Sequence, residues 1–353
     1  MATPVNELLG GGAALPVEVT ALGNELRRLW QENARAGSPI TRACTRNLVA
    51  LCAGPAEAER ATAAIAALAA EHPSRGFVVE DAPEPAKLEA YLSAVCSLRA
   101  GGRHVCCEQI HLQVGADARR RAAGAIVPLL VPDLPVFVWV LGTPRWDDPL
   151  LARLLDVADR LVVDSRVATA PHDFVRGLVD ARREDAWAPG DFEWSRLSEW
   201  REAIACLFDE PATRALPPAL ARVEVRYGRN GSAVAAALLA GWVQDRVALV
   251  RARAGLPEAT VDAVLEACDE ATPGAIARVR LVAQDPAATF TIAFEAGDSG
   301  LTTRVDVADA CALPARRPFP EQALERLLGD QLDAPSASPL YDRALARAVP
   351  LLS

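Results

Sequence analysis

The densest run of residues able to bind a metal or do redox chemistry is His104, Cys106, Cys107, Glu108 and His111. On a strand, alternation sends His104, Cys106 and Glu108 to one face and Cys107 and His111 to the other. Four ligands cannot converge from this segment alone, and no metal site is expected. Two small thiols also suit a buried strand, since cysteine is among the most buried residue types. Cys106 and Cys107 remain candidate redox positions, with Cys44, Cys52 or Cys96 as partners across the fold. A bridge between the two neighbours themselves would be strained. Asp164 and Ser165 form a second candidate, because they close the apolar run Leu161, Val162, Val163. Open parallel sheets bind ligands beyond the carboxyl ends of their strands. Ser165 lacks the flanking glycines of a nucleophile elbow, and only four histidines, His172 among them, exist to serve as base. The simpler reading is a carboxylate and hydroxyl capping the next turn. A third candidate is the anion loop Gly228-Arg-Asn-Gly-Ser232, where Gly228, Gly231 and Ser232 lie between a strand and a helix, with Arg226 and Arg229 adding charge. It lacks the ending of a P-loop and the Gly-x-Gly-x-x-Gly fingerprint, and a turn with Ser232 as N-cap explains it structurally. No complete catalytic set assembles, and no cofactor is expected.

The elements that position these residues follow from periodicity. Residues 17–35 read as a helix, since Val19, Leu22, Leu26, Leu29 and Trp30 share one stripe. Apolar runs at 47–52, 75–80, 105–114, 136–141 and 160–164 read as strands, with helices at 56–71, 85–98 and 117–127 between them. Asp148 is read as an N-cap, with Pro149 in the first-turn position that proline tolerates. This alternation predicts an α/β fold whose mostly parallel sheet has helices on both faces. The second half reads differently, with helices at 198–208, 232–254, 257–268, 320–328 and 338–348. Its strands fall at 223–227, 277–282, 289–294 and 302–307, separated by turn chemistry. A smaller α+β domain with antiparallel strands is expected there. The division is a flexible arm over 1–16, a first domain over 17–188 and a second over 189–353.

Composition sets the outer limits. Residues of the apolar and aromatic set make up 51% of the 353, enough for a substantial core. A net charge of −9 gains nothing along a phosphate backbone, so nucleic acid is not expected as a partner. Lys87 is the single lysine beside 36 arginines, which reads as coding bias rather than function. Residues 122–141 have only Asp133 as a charge, but Pro128, Pro132 and Pro135 would break a spanning helix. No membrane partner is expected, and the location is read as cytoplasmic.

Several segments in order resemble the glucose-6-phosphate dehydrogenase assembly protein family, the OpcA type. They are Arg42-Ala-Cys-Thr-Arg-Asn-Leu-Val49, His72-Pro-Ser-Arg75, Cys107-Glu-Gln-Ile110, Pro128-Leu-Leu-Val-Pro-Asp-Leu-Pro-Val-Phe-Val-Trp139, Ala158-Asp-Arg-Leu-Val-Val-Asp-Ser165 and Trp194-Ser-Arg-Leu-Ser-Glu-Trp-Arg-Glu202. Val223-Glu-Val-Arg-Tyr-Gly228 and Leu238-Leu-Ala-Gly-Trp242 continue the match. The resemblance implies a non-catalytic accessory protein that binds glucose-6-phosphate dehydrogenase and favours its assembled, active form. Through these motifs Asp133, Trp139, Asp164, Ser165 and Arg201 become candidate partner or functional positions. The alternative is a sugar-phosphate- or nucleotide-binding protein, sensor or enzyme, with its site near Asp164 or at the Gly228–Ser232 loop.

Overall fold

The computed structural model describes residues 15–35, 40–99, 103–182, 186–229, 233–269, 276–285, 287–295, 300–307, 310–311, 314–320, 322–334 and 336–353. The arm expected over residues 1–16 lies outside them except for its last two positions. Two compact units emerge, one from residues 1–163, 182–190 and 323–337 and the other from the remainder. The sequence reading cut the chain once, between 188 and 189. The units instead take alternating stretches of it.

The first unit contains nine strands: β1 (Leu15–Val17), β2 (Ile40–Arg42), β3 (Arg46–Cys52), β4 (Ser74–Asp81), β5 (Leu88–Arg99), β6 (Arg103–Val114), β7 (Val136–Val140), β8 (Arg160–Val163) and β9 (Ala188–Asp191). They form one sheet in the order β1-β5-β6-β4-β3-β7-β8-β9, with β2 beside β6. β3 pairs in parallel with β4 and with β7, and β4–β6 and β7–β8 are parallel too. Leu48, Val49, Ala50 and Leu51 are all buried, as a strand covered on both faces requires. Its helices include α1 (Leu22–Arg35), α2 (Pro55–Leu68), α3 (Arg119–Ile126) and α4 (Pro149–Leu155), and Leu324–Leu332 from later in the chain. Pro55 starts α2 at its first position, and Ala58, Ala61, Ile65 and Leu68 make its buried stripe. The expected mostly parallel sheet with helices is therefore present.

Two helix expectations fail in the same way. Residues 85–98 hold β5, which runs antiparallel to β6 from Leu88↔Val114 to Arg99↔Arg103. Ala90, Leu92 and Ala94 point inward while Glu89, Tyr91 and Ser93 do not, a period of two rather than 3.6. Alanine, leucine and glutamate favour helix locally, but a long partner strand overrides that preference. Residues 257–268 likewise hold a strand and no helix. The third difference is smaller: the helix expected to stop before Gly329 spans Leu324–Leu332 and runs through it.

Between β6 and α3 the chain makes a turn that only glycine fits. A Cβ on Gly115 would lie 2.0 Å from the Glu84 carbonyl oxygen and 2.4 Å from that of Pro85. Backbone cannot swing aside as a side chain can. Gly115→Ala is expected to cost at least about 1–3 kcal/mol, read as a lower urea midpoint.

The second unit is built on a mixed seven-stranded sheet. Its strands are β10 (Leu220–Gly228), β11 (Asp262–Cys268), β12 (Ile276–Gln284), β13 (Ala287–Glu295), β14 (Gly300–Val307), β15 (Ala310–Cys311) and β16 (Ala315–Pro318). β10 pairs in parallel with β11 and antiparallel with β12, and the β12–β13 and β13–β14 ladders are antiparallel, as the turn chemistry required. Helices α5 (Pro171–Ala181), α6 (Phe192–Arg196), α7 (Ser198–Cys206) and α8 (Ala233–Arg253) belong to this unit. By length and composition α8 could cross a membrane, but 67% of its most apolar window is buried inside the structure. Gly241 lets the helix Pro339–Ala348 approach: a Cβ there would sit 2.8 Å from the Ala344 carbonyl oxygen.

Candidate functional site

Strand order decides where a site can form. β3 is central, β4 and β6 extend to one side and β7, β8 and β9 to the other. That is the order of a doubly wound dinucleotide-binding sheet, whose ligand crevice opens beyond the carboxyl ends of the two strands where the winding reverses. Here those strands are β3 and β7. The sequence reading chose the end of β8 instead.

The crevice is lined by charges that already have partners. Glu57, in the first turn of α2, accepts the Ala53 N–H on Oε2 at 2.7 Å. A Cβ placed on Gly142, just past β7, would lie 3.7 and 4.0 Å from the two Glu57 carboxylate oxygens. The carboxylate therefore stands between the loops that follow β3 and β7. Alongside, Arg119 donates through Nε to Asp148 Oδ1 at 3.0 Å, and through its other nitrogens to Asp148 and to Asp81 at the end of β4. Arg145 reaches Asp81 at 2.8 Å and Asp148 at 3.8 Å. As expected from sequence, Asp148 is an N-cap, accepting the Leu150 N–H at 2.9 Å. Burial by itself raises the Asp148 carboxyl. Hydrogen bonds from Arg119 and Leu150 and the charges of Arg119 and Arg145 outweigh it, leaving the group below its ordinary range. Cavities of about 130 and 300 Å³ open on this lattice.

Asp164 and Ser165 belong to a different network, in the second unit. Asp164 takes both terminal nitrogens of Arg196, at 2.7 and 2.9 Å, in a two-pronged ion pair. Arg196 also donates to Glu193 at 2.9 Å, and Arg166 reaches Glu193 at 2.8 and 3.2 Å. Beneath them lies Asp191, the N-cap of α6. Its Oδ1 accepts the Ser165 and Glu193 N–H groups, each at 3.0 Å, and its Oδ2 accepts the Tyr341 hydroxyl at 3.3 Å. Burial pushes the Asp191 carboxyl up to about 7, helped by the nearby Asp164 charge and opposed by the bonds from Ser165 and Glu193. Ser165 is 1% exposed, so it presents no nucleophile to solvent. Asp164 accepts the Arg166 N–H at 3.2 Å, which is the capping role the sequence allowed.

The other candidates scatter. Trp139 is 1% exposed in β7, in the core. Asp133 is an exposed turn residue with φ 61°, in a proline turn that buried Asn47 pins through Val131 and Leu134. Arg201 stacks 3.7 Å over the Trp194 ring and donates to the Trp194 carbonyl at 2.6 Å. Burial lowers its pKa to about 10. Glu108, weighed as a metal ligand, is buried and bonds Arg75 at 2.5 Å and the Trp30 indole. His111 faces Glu80 at 2.8 Å. Among the described residues no cluster of three or more ligating side chains exists. The His104 side chain lies outside them. Cys106 is buried and disulfide-bonded, with Cys96 opposite it in the β5–β6 ladder. Cys107 is buried, its thiol 3.8 Å from the Ala69 carbonyl oxygen. Gly228 ends β10, and Arg229 beyond it pairs with Asp269 at 2.8 Å. Gly231 and Ser232 lie outside the described residues.

Sequence reasoning missed Glu57, Asp81, Arg119 and Asp191 as site residues. One signal was available: Glu80 and Asp81 directly follow the apolar pair Val78 and Val79, an acid at the carboxyl end of a strand.

Comparisons with known proteins match two family descriptions, both of a glucose-6-phosphate dehydrogenase subunit. Residues 65–179 match its N-terminal domain and residues 188–345 its C-terminal domain. Among curated relatives, the OxPP cycle protein OpcA of Synechocystis is 32% identical over 183 residues, 51% of this chain and 38% of that one. Its counterpart in Nostoc punctiforme is 32% identical over 163 residues, 45% of this chain and 34% of that one. The aligned part thus spans little more than a third of those relatives. Solved structures of similar layout include a levoglucosan dehydrogenase in complex with NADH, at 13% identity and TM-score 0.43 over 87% of this chain and 95% of that one. An oxidoreductase from Sinorhizobium meliloti reaches 14% and 0.46 over the same shares. Likeness this distant says nothing of what the chain does.

Proposed function

Because this chain belongs to the OpcA-type family of glucose-6-phosphate dehydrogenase subunits, we propose that it is a non-catalytic accessory protein of the oxidative pentose phosphate pathway. In this reading it binds glucose-6-phosphate dehydrogenase and favours that enzyme's assembled, active form. The observation that carries the reading is that both halves of the chain match domains described as parts of the dehydrogenase subunit. The site chemistry is compatible with it. The Asp164–Arg196–Glu193–Arg166 network is internally paired, and its serine is buried.

An accessory protein shifts its partner's equilibrium only by the difference between its affinities for the two states. A 100-fold preference for the active state is worth about 2.7 kcal/mol. The test is kinetic. Dehydrogenase from the same organism is assayed over a range of glucose 6-phosphate, with and without a molar excess of this chain. The expected result is a lower apparent KM or a higher kcat that saturates with added chain. Identical kinetics at saturating amounts would contradict the proposal.

A further inference from the structure

The strand order of the first unit implies a dinucleotide, and the crevice residues can be tested against one. A dinucleotide site needs three things at the reversal point: glycines after the first strand, free N–H groups at the start of the next helix, and an available acid at the end of the second strand. The glycines and the acid are not present in usable form, and the loop donor just ahead of the helix is engaged. After β3 the chain reads Cys52-Ala-Gly-Pro-Ala-Glu57, with one glycine where the fingerprint has three. The Ala53 N–H, which would face a phosphate oxygen, is held by Glu57. Asp81, at the position that would meet a ribose, is bonded to Arg119 and Arg145. The arginines that would help an anion are tied to Asp81 and Asp148.

We infer that the phosphate and ribose positions of the crevice are taken by the chain's own side chains, with the Glu57 carboxylate in the place of a pyrophosphate oxygen and the Arg119–Asp148–Asp81–Arg145 lattice in the place of the ribose. The chain therefore does not take NAD or NADP at this position. A bound phosphate would have to displace a carboxylate of the same sign from the donor it holds, and then remain beside it. The inference is independent of whether the chain binds the dehydrogenase, since it concerns the crevice alone.

Two measurements on the full chain decide it. In the first, NADPH fluorescence and NADP heat of binding are followed with the unaltered protein. No saturable signal is expected up to about 1 mM, a Kd weaker than about −4 kcal/mol of binding. Saturable binding below that concentration, strengthened by Glu57→Lys or weakened by Arg119→Met, would overturn the inference. In the second, Tm is compared in phosphate and in chloride of equal ionic strength. Glu57→Ala frees the Ala53 donor, and a mobile anion is expected to replace the lost carboxylate. The variant should therefore gain several degrees in phosphate where the unaltered chain gains none. Glu57→Gln, which keeps a hydrogen-bonding oxygen, should respond less than the alanine variant. Equal phosphate responses in all three proteins would show that Glu57 does not hold a phosphate's place.

Discussion

Arg119→Met is expected to be among the most damaging single substitutions in the first unit, costing about 3–5 kcal/mol. The Arg119 side chain is 9% exposed and its partner Asp148 only 6%. Methionine matches much of the arginine's length, so the packing loss is small. The loss falls on Asp148, a buried carboxylate left with the Leu150 N–H and a more exposed arginine, Arg145, 3.8 Å away. That imbalance differs from deleting a surface pair, which is worth about 0–1 kcal/mol. Arg119→Lys keeps the charge but loses the fork, so it should fall between the two. The same lattice sets an acid limit. The folded-state pKa of Asp148 lies below its unfolded value, so its contribution is complete above the unfolded pKa and is lost as pH falls through the folded one. Urea midpoints of the three proteins at neutral and acid pH test both statements. The gap between the unaltered chain and Arg119→Met should narrow in acid.

Asp191→Asn is expected to stabilise the protein at alkaline pH, the opposite of what removing a buried charge usually brings. The folded-state pKa of Asp191 is raised to about 7. Between the unfolded value and 7, the unfolded chain has lost this proton while the folded one keeps it, so stability declines as pH rises. From pH 5 to pH 8 the decline amounts to roughly 3 kcal/mol from this group alone. Asparagine has no proton to lose. Its oxygen can accept the Ser165 and Glu193 N–H groups, its amide can donate to the Tyr341 hydroxyl, and it is as good an N-cap as aspartate. The variant's stability should therefore be flatter with pH and cross above the unaltered chain toward pH 8. Parallel pH profiles for the two proteins would show that Asp191 is not the titrating group. Asp191→Ala should instead be destabilised at every pH, because two backbone donors lose their acceptor.

Much of the first unit's architecture was legible because its strands are buried on both faces. Runs such as Leu48–Leu51 and Val136–Val140 admit few other readings, and the cap at Asp148 followed from Asp-Pro chemistry. β5 and β11 were not legible. Their residues favour helix locally, and only the partners β6 and β10, which no single window contains, settle them. The site was harder still. Asp81, Arg119, Arg145 and Asp148 are spread over almost seventy positions, and only strand order brings them to one crevice. Asp164 caps the turn after an apolar strand, as one reading of the sequence had it, while the Ser165 hydroxyl takes no part in the cap. Asp191, which joins them from 26 residues away, left no mark in the sequence pattern.

The central proposal is that the chain acts by preferring one state of glucose-6-phosphate dehydrogenase. The most direct measurement is the mass distribution of that enzyme from the same organism, alone and mixed with this chain, by light scattering behind a sizing column. The expected result is a new species containing both proteins, with the dehydrogenase moved toward its larger, active assembly. Two separate peaks at their unmixed masses, at concentrations far above those in the kinetic assay, would contradict it.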